Sequence, residues 1–311
     1  MTWSDALFLV GAPRSGTSLL QQVLREQPGF ASVPRESDVI WEPYIHPENN
    51  GWKGEGFSGA EVSAEISAAL HQRFSELAVS AETWRRWSSA GLMKNPGMAR
   101  VLRLGYRFGK PVLALLKFRK GKSGSDLRLI DKSVHMGLWL SFVHTVFPGC
   151  RFIHIVRDPL TAIPSIIHGW QQPERFNTYL LPLDFDGEDF QWKFPLPPGW
   201  EAVVKAPVED RAAFQWIAIQ EAILRSAGEL GMPYYRIRLE DLAATPRETL
   251  EALFAFAAID WNPIAERYAR ELPKVNARES KGNANRQWLD KISPERQERI
   301  EVLRTIFGYS E

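Results

Sequence analysis

The 311-residue sequence has a single cysteine, almost no net charge and no long apolar run. Cys150 has no second cysteine to pair with, which excludes an intramolecular disulfide framework and favours a reducing compartment. A formal net charge of +1 creates no field that would attract a polyanion, so nucleic-acid binding is not predicted. No apolar run approaches the ~18 residues that a membrane-spanning helix needs. Because the first predicted strand leaves no space for a signal peptide, we expect a cytoplasmic protein.

A glycine-containing loop near the start of the chain lacks the lysine that nucleotide-hydrolysing P-loops carry. The apolar run 6–10 precedes this loop and an amphipathic helix is predicted after it, an arrangement that directs backbone N–H groups at an anion. The spacing of Gly11 and Gly16 matches a P-loop, but Thr17 stands at the lysine position. Arg14 is the only cation in the loop. The loop therefore predicts a site for a phosphate-like group without the contact that steadies β- and γ-phosphates.

Strand-like and helix-like segments alternate along the chain. This pattern predicts an α/β fold with a mostly parallel central sheet flanked by helices, a P-loop-NTPase-like three-layer sandwich in one domain over residues 1–311. Predicted strands lie at 6–10, 112–116, 127–130, 151–156 and 234–239. Predicted helices lie at 60–77, 98–108, 134–147, 159–170, 206–230, 245–257 and 293–306. The segments 30–59 and 171–205 are rich in proline, glycine and aromatic residues and are interpreted as variable substrate or lid loops.

A second anion site is indicated where the strand 151–156 ends. Arg157 and Asp158 follow that strand directly, and Pro159 suits the first turn of a helix. Ser165 lies about two helical turns beyond Arg157. An arginine with a hydroxyl offers a phosphate both charge and a directional donor, at the sheet edge where α/β proteins bind ligands. The alternative is an Arg157–Asp158 surface pair with an ordinary helix cap.

Four motifs together resemble the PAPS-dependent sulfotransferases, and they occur in the order of that family. They are the loop PRSGTS at 13–18, DKS at 131–133 followed by a helix and FPGCRFIH at 147–154, VRDP at 156–159 with Ser165, and RLEDL at 238–242 followed by Pro246. The resemblance covers about residues 6–290. It implies a P-loop-like α/β fold and transfer of a sulfuryl group from PAPS to a hydroxyl or amine, which leaves adenosine 3′,5′-bisphosphate.

The resemblance also implies how the first loop would hold the donor. Its 5′-phosphosulfate would be bound mainly through backbone N–H groups. Arg14 would in addition neutralise charge near the bridging oxygen. The residues implied are Arg14, Ser15, Gly16, Thr17 and Ser18. No metal is required for this binding mode.

For the 3′-phosphate the resemblance implies two further groups of residues. Arg157 and Ser165 correspond to the arginine and serine that hold this phosphate in the family. Arg278, Lys281 and Gly282 resemble the late basic and glycine-containing loop that covers it. The wider spacing in this chain leaves open which tail cation reaches the phosphate.

For the transfer itself, the resemblance assigns Lys132 to the sulfuryl oxygens, whose charge grows during in-line transfer. The acceptor needs a general base, and three candidates remain open. Glu36 resembles the catalytic glutamate of tyrosylprotein sulfotransferases, and its alternative is a solvated loop carboxylate. Asp131 resembles the glutamate of heparan N-sulfotransferases, with a salt bridge to Lys132 as its alternative. His135 lies near the histidine of cytosolic phenol sulfotransferases.

Two other functions compete with sulfuryl transfer. A P-loop kinase or nucleotidase that uses ATP is disfavoured by Thr17 and by the lack of an acidic or histidine cluster with metal-ligand spacing. A non-catalytic nucleotide-binding module is disfavoured by Lys132 with its three candidate bases. His154, in the middle of a predicted strand, is interpreted as a core histidine.

The acceptor is expected to be a small molecule, a carbohydrate or a peptide. Aromatic side chains in or beside the two variable segments are compatible with sugar or aromatic acceptors, or with a closing lid. These residues are Trp41, Tyr44, Trp52, Trp170, Trp192 and Trp200. The sequence carries no signal for the oligomeric state.

Overall fold

The computed structural model describes residues 3, 5–34, 36–57, 59–89, 127–173, 175–185, 188–273 and 286–309. Two sheets lie within these ranges. The strands are β1 (Leu7–Val10), β2 (Phe30–Ser32), β3 (Val79–Ser80), β4 (Arg128–Lys132), β5 (Arg151–Val156), β6 (Asn177–Phe185), β7 (Glu188–Lys193) and β8 (Tyr234–Arg238). Strands β6 and β7 pair with each other as an antiparallel hairpin outside the main sheet.

The main sheet has the strand order β3-β2-β4-β1-β5-β8. Strands β2, β4, β1, β5 and β8 run parallel, and only β3 pairs antiparallel, with β2. Parallel strands require crossover connections, and the crossovers here contain helices, as the alternating sequence pattern predicts. The predicted α/β class with a mostly parallel central sheet is confirmed.

Helices cover both faces of this sheet. Those in the described ranges are α1 (Thr17–Arg25), α2 (Asp38–Ile45), α3 (Ala64–Leu77), α4 (Ala81–Ser89), α5 (Leu140–Val146), α6 (Pro159–Trp170), α7 (Val208–Leu230), α8 (Leu239–Ala244), α9 (Pro246–Ala257), α10 (Pro263–Arg270) and α11 (Pro294–Phe307). Within the described ranges, none of these helices combines the length and the apolar character that crossing a bilayer demands.

The side chains of β1 alternate between two apolar cores. Phe8 and Val10 pack in one core with residues of α5, α6 and α7. Leu7 and Leu9 pack in the other with residues of α1, α9 and α10. A central strand covered on both faces has no solvated side, which explains its continuous apolar sequence.

Residues 30–59 differ from the predicted loop, since they contain both β2 and α2. The short run that starts at Phe30 pairs in parallel with β4, and this pairing supplies the partners that a three-residue strand needs. Pro43 lies inside α2 and removes one helical hydrogen bond. Burial of Ile40, Trp41 and Ile45 compensates for that loss, so tertiary packing overrides the local proline signal.

Other boundaries depend on local caps. Helix α6 and strand β5 have the predicted bounds. Helix α3 starts at Ala64 rather than at 60, because the Ser63 side chain accepts a hydrogen bond from the Ile66 N–H at 3.3 Å. Residues 134–147 form a short 3₁₀ turn before α5, and 171–205 contain the β6–β7 hairpin. The predicted helix 98–108 and strand 112–116 lie outside the described residues.

Candidate active site

Four neighbouring parallel strands end at one edge of the main sheet, and each is followed by a predicted site residue. The glycine loop follows β1, Lys132 ends β4, Arg157 follows β5, and Glu36 lies four residues beyond β2. Because the carboxyl ends of parallel strands meet at the same edge, the topology brings together residues from four distant parts of the chain.

The glycine loop has a backbone that only certain residues accept. A side chain at Gly11 would place a Cβ atom 2.4 Å from the carbonyl oxygen of Ile155. Gly16, with φ of +93°, is the N-cap of α1 and has no side chain that could cap the helix. The first N–H groups of α1 therefore face the loop, with the positive end of the helix dipole behind them.

Two side chains of the loop have unusual environments. Arg14 has φ of +68°, a left-handed conformation that costs energy in a residue with a Cβ atom. Such strain concentrates at ligand sites. The Ser15 hydroxyl is buried and has no hydrogen-bond partner in the described part of the chain. Thr17 is buried in the first turn of α1, and Ser18 is exposed on it.

Arg14, Ser165 and Arg157 lie in one cluster. The Arg14 Nε donates to the Ser165 Oγ at 3.1 Å, and an Arg157 Nη1 donates to the Arg14 carbonyl oxygen at 3.2 Å. Burial, followed by the nearby charges of Arg157 and Arg175, lowers the pKa of Arg14. The sequence placed Arg14 with the 5′-phosphosulfate, but its guanidinium is directed to Ser165, one of the residues predicted for the 3′-phosphate.

The alternative Arg157–Asp158 ion pair is absent from the described structure. Asp158 instead caps α6, since its Oδ1 accepts a hydrogen bond from the Leu160 N–H at 2.9 Å. The same oxygen lies 3.5 Å from the Arg304 Nε. Arg157 directs its own Nε to the Thr161 hydroxyl at 2.9 Å. Its guanidinium consequently stays beside the loop.

Lys132 and Glu36 form an ion pair at the same edge. The Lys132 ammonium contacts the Glu36 Oε1. The lysine side chain is 2% exposed, whereas the glutamate side chain is 48% exposed, so the pair has one buried and one open partner. Burial opposes ionisation of Glu36, but the charge and the hydrogen bond of Lys132 prevail and hold its pKa below the usual value.

Two hydrogen bonds bracket this ion pair. The Ser37 Oγ donates to the Asp131 Oδ2 at 2.5 Å, and the Ser133 Oγ donates to the Asp38 Oδ1 at 2.5 Å. The segment 36–38 therefore contacts the segment 131–133 residue by residue. Sequence reasoning did not assign roles to Ser37, Asp38 or Ser133, although the complementary order Glu-Ser-Asp and Asp-Lys-Ser is visible in it.

Asp131 is fully buried beneath this contact. Besides Ser37, its Oδ2 accepts from the Trp41 Nε1 at 3.4 Å, and its Oδ1 has no partner among the described residues. Burial raises its pKa to about 6. Its carboxyl group lies under the ion pair rather than at the open side of the site.

His135 forms a second ion pair, with Glu55. The His135 Nδ1 lies 2.9 Å from both carboxylate oxygens, and the Glu55 side chain is fully buried. Burial alone would lower the pKa of His135, but the charges of Glu55 and Asp38 raise it to about 9. The Leu196 N–H also donates to Glu55 at 2.7 Å, and the Tyr179 hydroxyl bonds to the same carboxylate. No motif of the sequence marked Glu55.

Comparison with known proteins identifies the family of this chain. A model of the sulfotransferase family matches residues 6–188, which is more than half of the chain. The chain belongs to the sulfotransferase family. No curated protein sequence matches it significantly. The sequence-based resemblance to sulfotransferases is confirmed.

Several solved structures are similar to this sulfotransferase chain. Sulfotransferase STF9 from Mycobacterium avium is 14% identical, with 100% of this chain and 78% of that chain covered, and its TM-score of 0.50 indicates a shared fold. The sulfotransferase domain of the Synechococcus PCC 7002 olefin synthase is 16% identical, covering 100% and 96%, with a TM-score of 0.49. Mouse sulfotransferase SULT7A1, solved with PAP, is 14% identical, covering 99% and 85%, with a TM-score of 0.42.

The remaining sequence predictions concern His154, the tail residues and metal binding. His154 is a core histidine as predicted, held by the Tyr234 hydroxyl at 2.6 Å and by the Gln220 Oε1 at 2.7 Å. The tail residues Arg278, Lys281 and Gly282 lie outside the described residues. Among the described residues, no group of three or more histidine, cysteine, aspartate or glutamate side chains is arranged to hold a metal ion.

Most of the aromatic residues considered for the acceptor belong to the core. The rings of Trp41, Trp170, Trp192 and Trp200 are buried in the larger apolar cluster. Trp52 is partly exposed and lies 5.7 Å, centroid to centroid, from the ring of His46. Tyr44 is also only partly buried. The sequence does not distinguish an aromatic residue of the core from one that lines a cleft. Only tertiary packing separates the two.

Proposed function

We propose that this sulfotransferase transfers a sulfuryl group from PAPS to a hydroxyl or amine of an acceptor and releases adenosine 3′,5′-bisphosphate. The observation that carries this proposal is the position of the Lys132–Glu36 pair on the same sheet edge as the arginine-lined glycine loop. At that edge, the glycine loop and its arginines suit an anionic donor. Lys132 and Glu36 offer a cation and a base for the transfer.

The residues at the loop suit a donor with phosphate at both ends. The uncapped start of α1 and the unpartnered Ser15 hydroxyl offer hydrogen-bond donors for the 5′ end. Arg157 and Ser165 suit the 3′-phosphate. Within the described ranges neither Arg157 nor Arg14, which contacts Ser165, forms a salt bridge, so both guanidinium groups can pair with a phosphate. When bound, PAPS supplies an activated sulfuryl group on its 5′-phosphate. In this proposal the arginines and N–H groups neutralise its charge, and no metal is needed.

Lys132 is proposed to stabilise the transferred group. Its ammonium is buried at the end of β4, where low local polarity strengthens its interaction with developing charge. In the reaction, an acceptor oxygen or nitrogen forms a bond to sulfur while the bond from sulfur to the 5′-phosphate oxygen breaks. During this step Lys132 gives up its contact with Glu36 and contacts the sulfuryl oxygens, whose negative charge increases.

Glu36 is the general base that the geometry favours. Its carboxylate is half exposed and its pKa is lowered, so it is ionised near neutral pH and accessible to an acceptor. Asp131 is fully buried, with its Oδ2 held by Ser37. His135, with a pKa of about 9, already carries a proton at neutral pH and cannot accept another. Glu36 then takes the proton that the acceptor releases.

Titration calorimetry separates this proposal from ATP-dependent phosphoryl transfer. The ligands are adenosine 3′,5′-bisphosphate with EDTA, AMP with EDTA, and ATP with Mg²⁺. We expect the bisphosphate to bind more tightly than AMP, because Arg157 and Ser165 contact its 3′-phosphate. Preference for ATP with Mg²⁺ would contradict the proposal and support a P-loop kinase.

The acceptor is proposed to be a small molecule, a carbohydrate or a peptide. A screen with PAPS labelled in the sulfuryl group identifies it directly, because the label moves to the acceptor. The E36Q variant is the matched control, since it keeps the shape of the site and removes the proposed base. Label transfer that is equally fast with E36Q would contradict the assignment of Glu36.

A further inference from the structure

The stem of the β6–β7 hairpin is fixed firmly to the body of the protein. The Lys193 side chain is buried and donates to the carbonyl oxygens of Gln172 and of Arg175, the latter at 3.2 Å. The Gln215 Nε2, on α7, donates to the Lys193 carbonyl oxygen at 2.8 Å. The chain around residue 175 therefore has a defined position relative to α6 and α7, although it belongs to a segment that the sequence interpreted as a loop.

Two phenylalanines in this stem have strained backbones. Phe176 has φ of +63° and Phe194 has φ of +61°, and their rings stack with centroids 4.7 Å apart. The Phe194 N–H donates to the Phe176 carbonyl oxygen at 2.9 Å. Gly169 of α6 leaves room for them, since a Cβ atom there would lie 2.4 Å from the Phe194 ring. Left-handed backbone in bulky residues is strained, and such strain concentrates at ligand clamps.

The ring of Phe176 joins the hairpin to the glycine loop. Its centroid lies 5.6 Å from the Arg14 guanidinium carbon and 5.1 Å from that of Arg175. Both distances fall within the range of cation–π contacts. The Phe176 ring thus contacts two guanidinium groups, although they come from residues 161 positions apart.

Three arginines lie close to one another here, and the nearby carboxylates of Glu240 and Asp158 act on Arg157 without forming a salt bridge to it in the described structure. Within the described ranges, neither Arg14, Arg157 nor Arg175 forms a salt bridge, and the guanidinium of Arg175 forms no hydrogen bond. After burial, the charges of Arg157 and Arg175 lower the pKa of Arg14. Such repulsion between like charges is relieved when an anion binds between them. A doubly charged phosphate supplies that anion better than a singly charged group.

We propose that Arg175 is a further phosphate-binding residue, which the hairpin adds to the site formed by Arg14, Arg157 and Ser165. Because Arg14 already contacts Ser165, Arg175 is assigned to the 3′-phosphate rather than to the 5′ end. This inference rests on the proposed function, since it takes a 3′-phosphorylated nucleotide as the ligand. It makes the hairpin part of the donor site, where sequence reasoning placed only the glycine loop, β5, α6 and the tail.

Calorimetry with R175A, R175K and wild type tests the assignment. We expect R175A to weaken binding of adenosine 3′,5′-bisphosphate about tenfold, as expected for loss of a charge-assisted hydrogen bond. Binding of AMP, which lacks the 3′-phosphate, should change less than twofold. R175K should lose less than R175A, because lysine keeps the charge but not the planar pair of donors. R225A removes a similarly exposed arginine from α7 and should bind the bisphosphate like wild type.

The outcomes separate this inference from the proposed function. If wild type binds the bisphosphate tightly and R175A binds it equally well, the role of Arg175 is wrong and the proposed function stands. An equal loss for AMP and the bisphosphate also overturns the assignment, because the contact would then not involve the 3′-phosphate. If wild type itself shows no preference for the bisphosphate over AMP, the proposed function fails as well. Matching thermal unfolding midpoints of R175A and wild type confirm that the variant is folded.

Discussion

Lys132 and His135 lie three residues apart along the chain, and each forms an ion pair with a glutamate. The two pairs differ in solvent exposure and in the number of partners that the glutamate has. In the Lys132–Glu36 pair, the carboxylate is half exposed and has the lysine as its main partner. In the His135–Glu55 pair, both side chains are buried, and Glu55 also accepts hydrogen bonds from the Leu196 N–H and the Tyr179 hydroxyl. An incoming group can therefore reach the carboxylate of the first pair, whereas the second pair is closed to solvent.

In the proposed function, the first pair takes part in the chemistry and the second belongs to the scaffold. A carboxylate with an open side can accept a proton from an acceptor and release its lysine to the sulfuryl group. A carboxylate held by three partners instead connects the segment after β4 to residues 55 and 196, which are far away in sequence. Replacing one residue of each pair tests this division.

The largest effect is expected on stability, from E55Q. Removing the buried charge of Glu55 leaves a protonated His135 without its partner, and breaking a buried pair on one side typically costs about 3–5 kcal/mol. Chemical denaturation of E55Q at pH 7 should show this loss in the free energy of unfolding. The E55Q/H135Q double variant should be more stable than E55Q, because it removes both charges. Wild-type stability in E55Q would show that the pair is not structural.

The largest effect on turnover is expected from K132A. Loss of a donor that stabilises transition-state charge typically costs about 10²–10³ in rate. Sulfuryl transfer should fall by that factor, while the Kd of the bisphosphate changes little. K291A is the matched control, since Lys291 is an exposed lysine that also pairs with a glutamate, Glu209. Near-normal turnover in K132A would refute the role of Lys132.

The His135–Glu55 pair also predicts a pH dependence of stability. The folded pKa of about 9 lies above the unfolded value of 6.5, so the stabilisation is fully present below pH 6.5 and is lost as pH rises through 9. The difference corresponds to about 3 kcal/mol. The free energy of unfolding of wild type, measured relative to H135Q, should decrease by about this amount from pH 6 to pH 10. A flat difference would contradict a protonated His135.

E36Q is expected to reduce turnover by about 10², the lower part of the range for a lost general base. Because the pKa of Glu36 is lowered, its basic form is present at neutral pH and is lost as pH falls through that pKa. The wild-type rate should therefore have an acidic limb that is missing from the pH–rate profile of E36Q. E82Q, which changes an exposed glutamate of α4 paired with Arg86, should keep both the rate and the limb. An acidic limb that persists in E36Q would assign the base to another residue.

The sequence predicted the glycine loop and the unit of β5 and α6 well, because their signals are local. Pro159 at the first turn and Asp158 as the cap mark the start of α6 within a few residues of one another. Residues 30–59 were predicted poorly, since β2 and α2 depend on contacts with β4 and with the core. Pro43 is a genuine local break that burial overrides.

The sequence by itself determined the fold class, the glycine-containing loop after the first strand and the family, because each depends on residues close together in the chain or on motifs in a known order. Only the tertiary structure paired His135 with Glu55, 80 residues away, and left the Glu36 carboxylate half exposed. It alone also brought Arg175 to the ring that Arg14 contacts. The physical reason is that burial and charge pairing depend on topology, which places distant segments at one edge of the sheet.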